Sequence, residues 1–165
     1  ESATNYTDIQ KFKEISEWLS GVEYVGEITS NNKAIKDLIE GYQLDAVQIE
    51  NIDQIGEALN TGLAVSFLAH SIESTQKAWE ASGQKLAYVL FDSSEVNDHA
   101  LQALANEIPI VLAAGFDAET VTELAKSKLK GIAIQGGNEI RPGYKDFDEM
   151  ADILESLEID DLTDE

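Results

Sequence analysis

Short apolar runs rich in β-branched residues recur along the chain, and a segment with helical periodicity follows each of them. Successive runs begin roughly 17 to 24 residues apart, a spacing that fits one strand followed by one helix. The pattern therefore predicts a regular alternation of strands and helices. The predicted strands are 24–28, 46–49, 63–68, 86–91, 110–113 and 131–134.

The segments between these runs are predicted to be amphipathic helices. An Asn, Ser or Asp residue lies near the start of each one, where its side chain can accept hydrogen bonds from the free N–H groups of the first turn. Continuous apolar strands that alternate with helices indicate an α/β protein with a parallel sheet. The predicted helices are 31–40, 52–60, 71–81, 98–106, 118–126 and 145–157, and a further helix, 7–20, precedes the first strand.

The positions of the glycines distinguish two kinds of parallel sheet. A doubly wound nucleotide-binding sheet usually carries a glycine-rich turn after its first strand, but residues 29–32 are Thr-Ser-Asn-Asn. The glycines that follow strands come late in the chain, at Gly115, Gly136 and Gly137. Barrels of the TIM type, (β/α)8, commonly bind phosphate with the loops after strands 7 and 8. We therefore predict such a barrel, of which six βα units (strands 3–8) are present here.

This barrel would form a single domain over residues 1–157, followed by an acidic tail at 158–165. Strands 1 and 2 have no counterpart in the sequence, so the first and last predicted strands would be open edges, which tend to pair with other chains. We expect a missing N-terminal segment of about 40 residues, or a second chain, to close the barrel.

The charge is strongly negative, with 11 Lys and Arg residues against 32 Asp and Glu residues and a net charge of −21. Such a surface repels nucleic acid and anionic lipid, so neither is an expected partner. No apolar run approaches the roughly 20 residues of a membrane helix, and we expect a cytoplasmic protein. The chain has no cysteine and no His, Asp and Glu grouping with the spacing of metal ligands, so we expect no metal and no cofactor.

Five stretches carry a family resemblance. They are VGE (25–27), AVQIEN (46–51), LFD (90–92), LAAGF (112–116) and GIAIQGGNEIRPGYKD (131–146). In this order and at this spacing they are similar to strands 3, 4, 6, 7 and 8 of the phosphoribosylanthranilate isomerase family. The resemblance implies a (β/α)8 barrel that performs an Amadori rearrangement of N-(5-phosphoribosyl)anthranilate in tryptophan biosynthesis.

The resemblance also implies roles for single residues. The rearrangement needs a general acid at the ring oxygen and a general base at the C2 proton of the sugar. Asp92 occupies the position of the family's acid, whereas the family's base is a cysteine on strand 1, which this chain lacks. Gly115, Gly136 and Gly137 would present backbone N–H groups to the phosphate. Asp92 could instead cap the following helix, and the glycines could serve only as tight turns.

The chain departs from the family's pattern at several positions. Glu50 stands where the family has a histidine, residues 93–97 replace a glycine-rich loop, Ala133 replaces an aspartate and Gln135 replaces a serine. Gln48, Glu50 and Gln135 are expected to line the substrate pocket. The leading hypothesis is a divergent isomerase, and the rival is a non-catalytic relative that binds a phosphorylated metabolite or a protein partner. A sugar-phosphate barrel enzyme with other chemistry is the third.

Three further side chains stand outside the resemblance. His70 lies two residues after the third predicted strand, where it would face the open end of the barrel, but a single histidine there is more often a capping or surface residue. Trp18 and Trp79 fall on predicted helices and are expected to cover the outer layer of the barrel.

Overall fold

The computed structural model describes residues 6–29, 33–93, 98–135, 139–141 and 144–161. Six strands form one parallel sheet in which each strand pairs with its neighbours along the chain. This sequential order is that of a barrel wall, whereas a doubly wound sheet reverses its strand order. The α/β class and the parallel βα repeat are therefore confirmed. The strands are β1 (Val25–Ile28), β2 (Ala46–Ile49), β3 (Ala64–Ala69), β4 (Tyr88–Phe91), β5 (Ile110–Leu112) and β6 (Gly131–Ile132).

A helix lies in each predicted helical segment, and most of the helices are shorter than predicted. The segment 52–60 is divided into a 3-10 turn, Ile52–Gln54, and a short α-helix. Within the described ranges, no helix is long and apolar enough to cross a membrane. The helices are α1 (Ile9–Ser16), α2 (Ile35–Ile39), α3 (Ile55–Leu59), α4 (Ile72–Ala81), α5 (Asp98–Ala105), α6 (Val121–Ala125) and α7 (Asp148–Asp161).

The side chains of the strands alternate between the two faces of the sheet. One face packs beneath the helices and forms the core, whose strand residues are Val47, Ile49, Val65, Phe67, Ala69, Val89, Phe91, Ile110 and Leu112. The register aligns these positions, with Val47 beside Val65 and Phe67 beside Val89. The opposite face, which carries Gln48 and Ser66, is the interior face of the barrel wall. A residue that directly follows β2, β3 or β4 belongs to this interior set by the same alternation.

The segment after β6 differs from the prediction. Residues Glu139–Arg141 (β7) and Tyr144–Lys145 (β8) form a two-stranded antiparallel hairpin, separate from the main sheet. The predicted helix start at residue 145 is therefore wrong. A side-chain oxygen of Asp146 accepts a hydrogen bond from the N–H of Asp148 at 3.1 Å, which places the helix start after the hairpin. At its other end α7 continues to Asp161, into the segment predicted as a tail.

Apolar side chains are exposed beside β1. Among the described residues, β1 pairs only with β2. The prediction that Trp18 covers the barrel is wrong, because it lies beyond the end of α1 and its relative exposure is 88%. Trp79 on α4 packs against the core, as predicted. The other exposed apolar residues of this region are Ile15, Leu19, Val22 and Val25.

Candidate active site at the carboxyl ends of the strands

Glu50, His70 and Asp92 directly follow β2, β3 and β4. The carboxyl ends of parallel strands meet at one edge of a sheet, and in barrels this edge carries the catalytic residues. His70 and Asp92 also lie at the same level, since the preceding residues Ala69 and Phe91 are register partners. The fold therefore brings together three residues that are about 20 positions apart in sequence.

The imidazole of His70 lies between the two carboxylates. Its Nε2 is 3.4 Å from Oε1 of Glu50, and its Nδ1 is 3.9 Å from Oδ2 of Asp92. Nδ1 is also 2.9 Å from the backbone carbonyl oxygen of Asp92. A carbonyl oxygen only accepts hydrogen bonds, so Nδ1 carries the proton in this contact. The neutral ring then has its free lone pair on Nε2, the nitrogen that faces Glu50.

The surroundings raise the pKa of His70 above its ordinary value of 6.5. The largest cause is the hydrogen bond to the carbonyl of Asp92, and the side chains of Glu50 and Asp92 act in the same direction, while partial burial opposes them. All three side chains are about half exposed, with relative exposures of 53% for His70, 62% for Glu50 and 49% for Asp92. Solvent therefore reaches the cluster and screens its charges.

Short local connections hold His70 and Asp92 in place. Ser71, the next residue after His70, is the N-cap of α4 in a capping box with Ser74. The backbone N–H of Asp92 donates to the carbonyl of Ala69 at 2.9 Å, which extends the β3–β4 ladder by one residue. Helix α5 is described from Asp98, and residues 94–97 lie outside the described residues. The alternative role of Asp92 as a cap of this helix therefore stays a prediction.

Gln48 lies deeper in the same interior face, on β2, and is partly buried. Its register partner Ser66 on β3 is fully buried, and the Ser66 hydroxyl makes no hydrogen bond among the described residues. Gln48 and Glu50 therefore share the interior face of the wall. Their contact with a substrate stays a prediction. Sequence reasoning missed Ser66, although the alternation of β3 places it on the interior face.

The loops after β5 and β6 border a pocket of about 190 Å³, which includes Gln135 in its lining. Gly115 lies in the first of these loops with φ +82°, a value that favours glycine, so its turn role is confirmed. Gly136 and Gly137 lie outside the described residues. Phosphate binding by the three glycines stays a prediction. The carboxylates of Asp146 and Glu149 also line this pocket, and they disfavour an anion there.

The cluster of Glu50, His70 and Asp92 differs from the predicted site in its histidine. The sequence placed His70 at the mouth but not between two carboxylates. The available signal was the two-residue alternation of side chains along each strand, because all three residues continue the interior face of their strands. Among the described residues, no three His, Cys, Asp or Glu side chains are placed to hold a metal ion together.

Comparisons with solved structures show the fold. The chain is 20% identical to a phosphoribosylanthranilate isomerase from Thermotoga maritima described as mutually generated monomers of a dimeric enzyme, with a TM-score of 0.67 and coverage of 93% of this chain and 80% of that one. A phosphoribosyl anthranilate isomerase in complex with reduced 1-(o-carboxyphenylamino)-1-deoxyribulose 5-phosphate is similar at 20% identity, a TM-score of 0.68 and the same coverages. The isomerase from Pyrococcus furiosus is 19% identical to this chain, with a TM-score of 0.67 and coverage of 96% of this chain and 84% of that one. The six strands are thus part of a (β/α)8 barrel.

Comparison of the sequence gives the family. No curated protein sequence is similar enough to this chain to count as a match. The model of the N-(5'phosphoribosyl)anthranilate (PRA) isomerase family matches residues 3–156, which is nearly the whole chain. The predicted resemblance is thereby confirmed, and the chain belongs to the family of N-(5'phosphoribosyl)anthranilate isomerases of tryptophan biosynthesis.

Proposed function

We propose that this protein isomerises N-(5-phosphoribosyl)anthranilate in the cytoplasm, with Asp92 as the general acid. The observation that carries the proposal is the position of Asp92 after β4, at the carboxyl edge of a family-matched barrel and beside a histidine 3.9 Å away. In the reaction the acid protonates the ring oxygen of the ribose, and the C1–O bond breaks to give a protonated imine, because the anthranilate nitrogen keeps its hydrogen. Half of the Asp92 side chain is exposed, so a ligand can reach it.

The ligand of a structural relative supports the substrate class. The relative bound to a reduced deoxyribulose 5-phosphate is similar to this chain over 93% of its length. That ligand combines a carboxyphenylamino group with an open-chain sugar phosphate. We infer the same two chemical groups for the substrate of this protein.

Replacement of Asp92 by Asn tests the proposal. Loss of a general acid lowers rates by about 10² to 10⁴, so we expect Asp92→Asn to lower kcat for the isomerisation by that factor. The measurement is the loss of substrate fluorescence with the purified full-length protein. Asp53→Asn is a matched control, since Asp53 is an exposed acid on the 3-10 turn after β2.

The rival function is binding of a phosphorylated metabolite or a protein partner without catalysis. The observation in its favour is that Ala133 and Gln135, which depart from the family's pattern, line the pocket beside the β5 and β6 loops. A wild-type protein that binds the substrate in calorimetry and does not convert it would favour the rival. Complementation of a tryptophan auxotroph by the gene, lost on Asp92→Asn, would favour the isomerase.

A further inference from the structure

A general acid works only when its carboxyl group is held within reach of the atom that it protonates. A displacement of about 1 Å between reacting groups can lower a rate by about 100-fold. Asp92 follows the last residue of β4, and its side chain is half exposed. The contacts that hold Asp92 in place are therefore part of the proposed chemistry.

Both polar groups of the Asp92 backbone are bonded to the end of β3. The N–H group donates to the carbonyl of Ala69 at 2.9 Å, and the carbonyl oxygen accepts a hydrogen bond from Nδ1 of His70, also at 2.9 Å. The two bonds fix the direction of the main chain at Asp92, and with it the direction in which the carboxylate leaves the strand. The second bond comes from a side chain, so a substitution can remove it.

Glu50 contacts the other nitrogen of the same ring, with its Oε1 3.4 Å from Nε2. In a neutral ring the lone pair of Nε2 faces this carboxylate, which is unfavourable, whereas a protonated ring donates from both nitrogens. The raised pKa of His70, caused first by the Asp92 carbonyl and also by Glu50, agrees with the protonated form. The charged ring therefore joins the ends of β2, β3 and β4.

The charged groups around the ring are Glu50 on the β2 side and Asp92 on the β4 side. On α4, the helix that follows His70, Glu73 and Lys77 pair with each other at 2.6 Å. The two carboxylates after the strands are thus the charges that act on the ring.

We propose that His70 is a positioning residue for Asp92, and that Glu50 holds the His70 ring in its bridging orientation. This inference rests on the proposed isomerase function. His70 acts through Asp92 and transfers no proton itself, since both of its ring nitrogens face groups of the protein.

The first test compares two substitutions of His70 in the purified full-length protein, with N-(5-phosphoribosyl)anthranilate as substrate. Asn places its amide nitrogen where Nδ1 of histidine lies, so His70→Asn keeps a donor to the Asp92 carbonyl, and His70→Ala removes it. At a pH below the His70 midpoint we expect His70→Ala to lower kcat about tenfold with an unchanged KM. We expect His70→Asn to restore kcat to within about threefold of the wild type.

The matched control is His99→Ala, since His99 is an exposed histidine on α5. We expect this variant to keep the wild-type kcat. Thermal melting followed by circular dichroism shows whether each variant is folded, so that a lower kcat in His70→Ala is not mistaken for a loss of structure.

The second test addresses Glu50 through the pH profile. The bridging ring is protonated, so kcat/KM should fall as the pH rises through the pKa of His70. Glu50→Gln removes a neighbouring negative charge, lowers the pKa of His70 and moves this limb to lower pH. Titration of the His70 ring by NMR without substrate should give the same midpoint as the limb in both proteins. A limb that is set by another group would not follow the NMR midpoint.

The possible results separate the two proposals. If the wild type converts no substrate, the isomerase function fails, and the positioning role fails with it. If the wild type is active and His70→Ala keeps kcat, or His70→Asn loses as much as His70→Ala, only the positioning role is overturned. If either the limb or the NMR midpoint stays in place in Glu50→Gln, the role of Glu50 is overturned.

Discussion

At the scale of single residues, the two buried serines Ser66 and Ser82 differ in whether the hydroxyl has a hydrogen-bond partner among the described residues. Ser66 on β3 is fully buried and its hydroxyl has no hydrogen bond among the described residues, whereas the hydroxyl of Ser82, which is 4% exposed, donates to the carbonyl of Trp79 at 2.7 Å. A buried hydroxyl without a partner costs about 1 to 3 kcal/mol, while a satisfied one contributes about 1 kcal/mol.

We therefore expect opposite results from the same substitution. Ser66→Ala should leave the free energy of unfolding unchanged or raise it, and Ser82→Ala should lower it by about 1 kcal/mol. Urea denaturation followed by circular dichroism measures both. An equal loss of stability in the two variants would show that Ser66 has a partner in solution, such as a buried water or a substrate group.

His70, Glu50 and Asp92 show how a residue acquires a role from its neighbours. In the sequence His70 is a lone histidine, and such a residue is more often a capping or surface residue. Contacts with β2 and β4 raise its pKa and fix its protonated nitrogen. These are pairwise effects between residues about 20 positions apart, so they arise only when the strands pair in register.

At the scale of elements, the turn that leads into α6 is organised by one aspartate. The Asp117 carboxylate accepts hydrogen bonds from the hydroxyl of Thr120 at 2.8 Å and from the N–H groups of Thr120 and Glu119 at 3.0 and 3.1 Å. These bonds, with the Thr120 hydroxyl first, hold the pKa of Asp117 below its ordinary value of 3.8. The ionised form is therefore the one that stabilises the turn.

This lowered pKa gives the sign of a pH effect. The stabilisation by Asp117 is present above the unfolded-state pKa near 3.8 and is lost as the pH falls through the lower folded-state value. We expect Asp117→Ala to lower the melting temperature at pH 7, and the difference from the wild type to shrink below pH 3.8. Glu119→Ala is the control. A melting-temperature difference that is constant from pH 7 to pH 3 would contradict the prediction.

At the scale of the whole molecule, β1 pairs only with β2 in the described part of the chain, and the apolar residues beside it are exposed. The prediction that further polypeptide, from an N-terminal segment or a second chain, closes the barrel stays a prediction. An open edge with exposed apolar side chains tends to pair with another strand. Trp18, 88% exposed, reports on this surface, and Trp79, packed against the core, does not.

Quenching of Trp18 by acrylamide tests whether a second copy covers this surface. In Trp79→Phe, Trp18 is the only tryptophan, and we expect its quenching to decrease as the protein concentration rises. In Trp18→Phe the quenching of Trp79 should be low at every concentration. Quenching of Trp18 that stays high and independent of concentration would exclude a second copy as the cover.

The sequence by itself determined the order of strands and helices, the parallel class of the sheet, the family and the edge of the sheet that carries Asp92. These follow from local patterns: apolar runs fix the elements, and the two-residue alternation fixes which face a residue joins. The bounds of the elements do not follow from the apolar pattern, because the bond between Asp146 and Asp148 and the β7–β8 hairpin depend on hydrogen bonds that the pattern does not encode.

Only the tertiary structure decided the approach of Glu50 and Asp92 to His70, the buried hydroxyl of Ser66 and the exposure of Trp18. Each of these depends on distances between segments that are far apart in sequence. A sequence pattern predicts that an apolar residue such as Trp18 is buried, because the pattern contains only its hydrophobicity. Whether a neighbouring strand covers it depends on the tertiary structure, in which Trp18 is exposed.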